Sequence, residues 1–224
     1  MCGRFTQERS TSEFAEIFGA EDLADDPGGR FNVAPTDEAA VVVQRDDRRA
    51  VVRYRWGLVP HWADDARSAA RRINARAETV ASSSAFRDAF ARRRCLVPVD
   101  SFYEWRREGT VRQPYRVVRT DGGPLALAGL WSGWRDPADG SIRRTFTIVT
   151  TTPTRAISAL HDRMPVVLAD EAWATWLDPE LQDVGELHGL LVPAESAPLE
   201  IHAVPRLVND VRADGPALIA RLPA

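Results

Sequence analysis

The chain has 224 residues, of which 44% are hydrophobic and 27% charged, and its formal net charge is −3. This length suffices for one domain with a sizeable core, and the charge argues against a protein that coats nucleic acid. No apolar stretch is long enough to cross a bilayer, residues 1–10 contain no apolar signal-peptide core, and two cysteines cannot form a disulfide framework. These features exclude a membrane protein and a disulfide-stapled miniprotein, and they predict a cytoplasmic location.

Short strands dominate the predicted elements. Runs rich in valine, leucine and aromatic residues predict strands over 39–43, 51–56, 95–99, 114–118, 125–131, 145–150, 166–168 and 199–204. Apolar residues at helical spacing predict helices over 11–18, over a run that Ser84 caps and that pairs Phe86 with Phe90, and over 171–177 and 184–191. Because no linker interrupts residues 1–224, we expect a single α+β domain with a largely antiparallel, barrel-like β-sheet core and scattered helices.

The first residues carry the chain's distinctive nucleophiles. All 29 basic residues are arginine, so the N-terminal amine is the only primary amine. Methionine is normally removed when the next residue is small, which would make Cys2 the terminus. Its amine, with a pKa of about 7.7 to 8, and its thiol, with a pKa of about 8.5, would both be reactive near neutrality. An aldehyde would form an imine with this amine, and the thiolate would close a five-membered thiazolidine. The alternative is that Cys2 is an incidental terminal residue.

The charges are unevenly distributed along the chain. Residues 67–94 contain eight arginines against Glu78 and Asp88, whereas residues 164–205 contain no arginine and many carboxylates. This pattern indicates a basic face for phosphates, or simply solvated helix surfaces. Within the basic segment, an extended conformation would bring Asn74, Arg76 and Glu78 to one face. They could position a phosphodiester and a sugar oxygen, or belong to an exposed edge strand.

Two further segments carry candidate acid–base groups. Glu104 lies among Phe102, Tyr103 and Trp105, where desolvation would raise its pKa toward the range that suits proton transfer. The alternative is a surface glutamate beside strand aromatics. His161 lies before a predicted strand, where it could donate to a sugar hydroxyl. Cysteine and histidine spacings predict no metal site, and we expect no cofactor.

Six motifs occur in order along the chain: MCGRF at 1–5, FNVAPT at 31–36, WGLVP at 56–60, NARAET at 74–79, SFYEW at 101–105 and HDRMP at 161–165. Together they resemble the SRAP family, the SOS-response-associated peptidase proteins. The motifs lie within residues 1–168, whereas the acidic part, 169–224, resembles the family's variable region and adds little.

The resemblance implies a sensor of abasic sites in single-stranded DNA that forms a thiazolidine with the ring-opened deoxyribose. It implies that Cys2 is the nucleophile, that Asn74 holds the sugar and the cysteine, and that Glu104 is the acid and base. It also implies that His161 stabilises the opened sugar, and that Met1 is removed by self-cleavage or by an aminopeptidase.

The expected DNA contacts involve arginines and tryptophans. Phosphates would be contacted by Arg4, Arg76 and Arg163, and bases would stack on Trp105 and Trp62. We expect no membrane partner and no obligate protein partner, and association with the nucleoid when DNA is bound.

Two other functions are compatible with parts of the sequence. A start of Met-Cys-Gly also resembles class II glutamine amidotransferases, whose N-terminal cysteine attacks the glutamine amide. That function would need an ammonia-accepting synthase domain, for which the chain has little room. A non-covalent module for single-stranded DNA would use the arginines and tryptophans without chemistry. A glutaminase assay tests the first alternative, and an adduct that survives boiling in denaturant would exclude the second.

Overall fold

The computed structural model describes residues 2–67, 69–194 and 198–223, with the side chain of Glu108 left aside. Met1, whose removal the sequence predicts, and Glu195 of the acidic segment lie outside the described residues. Thirteen strands, β1 to β13, occupy Phe5–Gln7, Ala20–Asp22, Arg30–Val33, Glu38–Arg45, Arg48–Trp56, Asn74–Arg76, Arg94–Val99, Ser101–Glu108, Val111–Arg119, Leu125–Arg135, Ile142–Thr151, Met164–Pro165 and Leu199–Ala203.

Five α-helices and four 3₁₀ turns accompany the strands. The helices α1 to α5 span Thr11–Phe18, Arg87–Arg92, Arg155–Ser158, Trp173–Leu177 and Val184–Gly189. The 3₁₀ turns span Ala69–Arg71, Asp170–Ala172, Arg206–Asn209 and Pro216–Ile219. Among the described residues, no helix combines the length and the apolar character that a membrane crossing requires.

Five strands close into a barrel. They pair in the order β11, β10, β7, β4 and β5, and all four of these pairings are antiparallel. The ring closes where β5 pairs with β11 in parallel, with Arg55 opposite Thr145 and Trp56 opposite Phe146. This parallel contact makes a closed mixed barrel, so the strand edges inside the ring are all paired. Beyond the end of β5, the short strand β6 takes its place beside β11.

The remaining five-stranded sheet is antiparallel throughout and has the order β13, β9, β8, β1 and β3. Its apolar side chains Phe5, Phe102 and Val117 belong to one buried cluster with Val97 and Leu127 of the barrel strands. The single-domain α+β fold with a largely antiparallel, barrel-like core is therefore confirmed.

Helices cover the other face of the barrel strands. Phe14 and Phe18 of α1, Phe90 of α2, Trp176 of α4 and Leu187 of α5 are buried in a second cluster. Helix α1 has the predicted bounds, because Ser10 and Glu13 form a capping box and Gly19 ends the helix in the left-handed conformation. The acidic C-terminal segment thus packs on the same core as the N-terminal half.

Two predicted boundaries were wrong. Helix α2 begins at Arg87, and its N-cap is Phe86 without a side-chain hydrogen bond, so Ser84 does not cap it. Residues 166–168 do not form a strand; β12 is Met164–Pro165, and Val167 makes only an isolated bridge to Leu127. Strands β1, β2, β3 and β8 were not predicted, because short or polar strands are stabilised by their neighbours more than by their own residues.

Arg94, from the predicted basic face, is instead buried in the core. Its guanidinium donates only to backbone carbonyls, those of Phe90, Ala91, Trp176, Asp178 and Leu181. Most of these carbonyls end helices α2 and α4, where no partner exists within the helix. The five donors of an arginine suit this role better than the three of a lysine.

Candidate functional site

The N-terminal strand fixes the beginning of the chain inside the protein. Strand β1 lies between β8 and β3, with Phe5 opposite both Phe102 and Val33. The Phe5 ring packs 4.9 Å from that of Trp56, measured between centroids. The Tyr103 amide donates to the Arg4 carbonyl at 3.0 Å, which continues the pairing toward the terminus. As a result, Cys2 has no exposed surface.

Burial controls the ionisation of the Cys2 thiol. Desolvation raises the pKa of this thiol far above its ordinary value, and the nearby charge of Glu104 raises it further. A hydrogen bond from the Arg4 amide lowers the pKa by less. The resting thiol is therefore protonated at neutral pH, and its reaction as a thiolate requires a base.

Asn74 holds the backbone of Cys2. Its Nδ2 donates to the Cys2 carbonyl oxygen at 2.9 Å, and its Oδ1 is buried without a hydrogen-bond partner among the described residues. Strand β6 positions this side chain, because Asn74 pairs with Ile148 in the parallel ladder beside β11. The unused amide oxygen is an acceptor directed at the same region as the Cys2 backbone.

Glu104 is the buried carboxyl of the site. It is 1% exposed, and desolvation raises its pKa from 4.5 to about 7, with a smaller contribution from the charge of Asp162. The predicted rise in the pKa of Glu104 is confirmed, but the predicted cause of that rise was only partly right. The rings of Tyr103 and Trp105 lie on the face of β8 opposite Glu104, with their centroids 6.4 Å apart. The pKa of Glu104 is therefore raised by burial of its own sheet face and not by three adjacent rings.

The loop before β12 brings His161 into the same neighbourhood. Its Nδ1 accepts from the Arg163 amide at 3.0 Å, and desolvation lowers the pKa of the imidazole. A neutral ring that accepts at Nδ1 carries its proton on Nε2, where it can donate. The same Nδ1 lies 2.7 Å from Asp162 Oδ1, an ion pair that forms only when the ring is protonated.

Arg163 does not face solvent as a phosphate ligand would. Its guanidinium donates to both carboxylate oxygens of Glu78, at 2.6 and 2.9 Å, and to the Thr150 carbonyl at 2.5 Å. Glu78 lies in the turn after β6, so it does not share a strand face with Asn74 and Arg76 as the sequence analysis expected. The bidentate pair joins the His161 loop to the turn that follows Asn74.

Arg4 is also directed inward. It is 9% exposed and donates to Asn32 Oδ1 at 2.7 Å and to the Val208 carbonyl at 2.9 Å. Its guanidinium lies over the Trp105 ring at 5.7 Å, and the indole nitrogen of Trp105 donates to Asn209. These contacts join the residue before β1 to β3 and to the C-terminal segment, and the phosphate contact of Arg4 stays a prediction.

Arg76 and Trp62 have the exposure that DNA contacts require. Arg76 is exposed at the end of β6, two residues from Asn74, and makes no ion pair with any described residue. Trp62 is 52% exposed in the loop that precedes the Ala69–Arg71 turn. The structure therefore separates the nine predicted site residues into a buried and half-buried group around Cys2, two inward-facing arginines and a more exposed group.

Three residues that the sequence analysis did not assign also support this site. Asn32 accepts from Arg4, Thr150 accepts from Arg163, and the Met164 sulfur accepts from the Thr154 amide. Asn32 and Met164 lie in quoted motifs, but their partners are far along the chain, so no local pattern could reveal the contacts. Within the described ranges, no three His, Cys, Asp or Glu side chains cluster as a metal site would require.

The fold and the site define a single-domain protein whose buried Cys2 lies beside Asn74 and Glu104. The family model described as SOS response associated peptidase (SRAP) matches residues 1–211. The chain belongs to the SRAP family, which confirms the resemblance noted from the motifs.

Relatives match along almost the whole chain. The abasic site processing protein YoqW of Bacillus subtilis is 36% identical over 224 residues, which cover 98% of this chain and 99% of the relative. The abasic site processing protein YedK of Escherichia coli is 32% identical over 228 residues, with 98% and 99% covered. A crystal structure of a protein from Bacteroides thetaiotaomicron has a TM-score of 0.87 at 24% identity, with 99% and 100% covered, and supports the fold alone.

The raised pKa of Glu104 predicts a pH-dependent cost of folding. Between pH 4.5 and 7 the folded carboxyl holds a proton that the unfolded one has lost, so stability decreases as pH rises through this window. Glu104→Gln removes the titration. We expect the unfolding free energy of this variant, relative to the parent, to increase by about 3 kcal/mol between pH 4 and pH 8.

Urea unfolding at the two pH values measures this change, and Glu171→Gln, at an exposed glutamate, is the matched control. A difference between Glu104→Gln and the parent that is the same at both pH values would show that burial does not suppress the ionisation of Glu104.

Proposed function

We propose that this chain is a sensor of abasic sites in single-stranded DNA and forms a covalent thiazolidine crosslink through Cys2, which shields the lesion. The observation that carries the proposal is the Asn74 amide bound to the Cys2 carbonyl at 2.9 Å beside the buried Glu104. The relatives named abasic site processing proteins support the same substrate.

The proposed reaction releases only water. Once the Met1–Cys2 bond has been hydrolysed, the Cys2 amine adds to the aldehyde of the ring-opened deoxyribose, and loss of water gives the imine. The thiolate then adds to the imine carbon, and the nitrogen takes a proton as the five-membered ring closes. Since the chain has no lysine, no side-chain amine competes for the aldehyde.

Glu104 is the proton carrier in this proposal. The thiol needs a base because burial raises its pKa, and the carbinolamine needs an acid to lose water. A carboxyl with a pKa of about 7 supplies both forms near neutral pH. Asn74 orients the Cys2 backbone and offers its free Oδ1 to the sugar or the amine, while His161 donates from Nε2 to the opened sugar.

The solvent-facing residues are proposed to contact the DNA. Arg76 is two residues from Asn74, so a phosphate next to the lesion lies within its reach, and Trp62 and the half-buried Trp105 offer ring faces to bases. Arg4 and Arg163 act indirectly in this proposal, because their donors hold β1 and the His161 loop in place.

The two competing functions make different demands. A glutamine amidase would require ammonia release from glutamine, and a non-covalent module would leave no adduct after denaturation. Intact mass after incubation with abasic single-stranded DNA distinguishes all three. The mass of the purified chain, compared between the parent and Glu104→Gln, also shows whether Met1 removal depends on this site or on an aminopeptidase.

Replacement of the nucleophile tests the covalent step. Cys2→Ala leaves an amine that forms only a hydrolysable imine, so we expect no adduct that survives boiling in denaturant. Cys95→Ala is the matched control, because Cys95 is also fully buried but is remote in sequence from the terminus. Heat-stable adduct at the parental level in Cys2→Ala would refute the thiazolidine mechanism.

Glu104→Gln tests the proton transfer. It preserves the shape of the side chain but cannot exchange a proton, so crosslinking should slow by about 10²- to 10⁴-fold while non-covalent DNA binding is retained. Reversal of preformed adduct should slow as well, because the same carboxyl serves both directions. Parental rates of formation and release from pH 5 to 8 would transfer this role to His161.

Arg76→Ala tests the DNA contact. Loss of one phosphate contact should reduce the slope of log affinity against log salt by about 0.7 for single-stranded DNA. Arg48→Ala is the control, since Arg48 is exposed on the β4–β5 hairpin and pairs with Glu21. Equal slopes for Arg76→Ala and the parent would exclude a phosphate contact at this position.

A further inference from the structure

A second polar site lies at one rim of the barrel. Tyr54, Arg45, Arg53 and Arg144 line a cavity of about 360 Å³ there. These residues come from three barrel strands, β4, β5 and β11. No residue of the Cys2 site lines this cavity, so the function proposed above does not account for it.

Tyr54 lines this cavity with a largely buried ring, and its hydroxyl is accessible from the cavity. The residue is 5% exposed, and within the described part of the chain no atom forms a hydrogen bond with its hydroxyl. A tyrosine hydroxyl that faces a polar cavity can donate to a ligand bound there. The ring packs 5.7 Å from that of Trp131, which limits its reorientation. The hydroxyl is therefore available to an acceptor that enters the cavity.

Two arginines direct positive charge at this hydroxyl. Arg45 and Arg144 line the same cavity as Tyr54. Burial raises the pKa of Tyr54, and the charges of Arg144 and Arg45 oppose that increase. Both arginines are exposed, and neither makes a hydrogen bond or an ion pair with any side chain that the structure describes. Ten N–H donors thus border the cavity without a defined acceptor.

A third arginine pairs with one of the two acidic residues on the same rim. Asp25 and Glu38 also line the cavity. Arg53 Nη1 donates to the Asp25 carbonyl at 3.4 Å, and its Nη2 lies 3.7 Å from the Glu38 carboxylate. Arg53 thus offsets part of the negative charge, and Arg45 and Arg144 stay available to a ligand.

We propose that this barrel rim binds a phosphate group, with Tyr54 as hydrogen-bond donor and Arg45 and Arg144 as paired cations. Several donors that converge from different strands suit the oxygens of a phosphate, which accept from guanidinium groups in bidentate fashion. The phosphate can belong to a free ion, to a mononucleotide or to a DNA strand. The site acts independently of the covalent chemistry at Cys2.

Calorimetric titration of the intact protein tests the proposal with three probes: inorganic phosphate, AMP, and an oligothymidylate without an abasic site. The variants are Tyr54→Phe and the double variant Arg45→Gln/Arg144→Gln, and the control is Arg48→Gln on the same hairpin. We expect saturable binding of at least one probe, weakened about tenfold or more in the double variant and several-fold in Tyr54→Phe.

Because the Tyr54 hydroxyl forms no hydrogen bond with a described residue, we expect Tyr54→Phe to retain the parental unfolding midpoint. This variant therefore decides the question if the double variant does not fold. Binding of phosphate or AMP that depends on Tyr54 supports a small-molecule site, and dependent binding of the oligothymidylate alone supports a strand contact. The proposal is overturned if no probe saturates, or if Tyr54→Phe binds every probe as the parent does.

Crosslinking at saturating abasic DNA should be unchanged in Tyr54→Phe, so loss of the rim site and loss of the Cys2 chemistry are distinguishable.

Discussion

The insertion of β1 between β8 and β3 is the interaction on which the site depends. A chain terminus is usually mobile, yet here the hydrogen bonds of β1 and the packing of Phe5 against Trp56 hold the first residues in the core. Once β1 is in place, Cys2 must lie next to Glu104 on the neighbouring strand. Asn74 then needs only one hydrogen bond to hold the Cys2 carbonyl.

Burial of Glu104 has opposite consequences for stability and for chemistry. A carboxyl that is 1% exposed destabilises the fold when it ionises, and the same desolvation brings its pKa to about 7. A surface glutamate would avoid the cost but would be almost fully ionised at neutral pH. In the proposed mechanism the site therefore uses a locally unfavourable residue, which the surrounding sheet and barrel stabilise through their own packing.

The absence of lysine gives arginine all the cationic roles in this protein. Arg4, Arg94 and Arg163 are directed into the fold, where they donate to carbonyls, an amide or a carboxylate. Arg45, Arg76 and Arg144 remain at the surface. The sequence alone does not separate these two groups, because the same residue type serves helix ends, strand anchoring and contact with phosphates.

The sequence by itself determined the fold class, the family and the residues around the terminus. Runs rich in valine, leucine and aromatic residues predict most barrel strands, and the ordered motifs indicate the SRAP family because many short matches in one order rarely arise by chance. The aromatic residues around Glu104 also predict the direction of its pKa shift, but burial of the sheet face, and not the rings of Tyr103 and Trp105, causes that shift.

Only the tertiary structure decided which partners these residues have. The parallel contact of β11 with β5, the pairing of Arg163 with Glu78 and the rim at Tyr54 join residues that are distant in sequence. Such contacts depend on strand order and register, which local propensity does not encode. For the same physical reason, β1 was not recognised as a strand: its three residues are held by neighbours from residues 30–33 and 101–108.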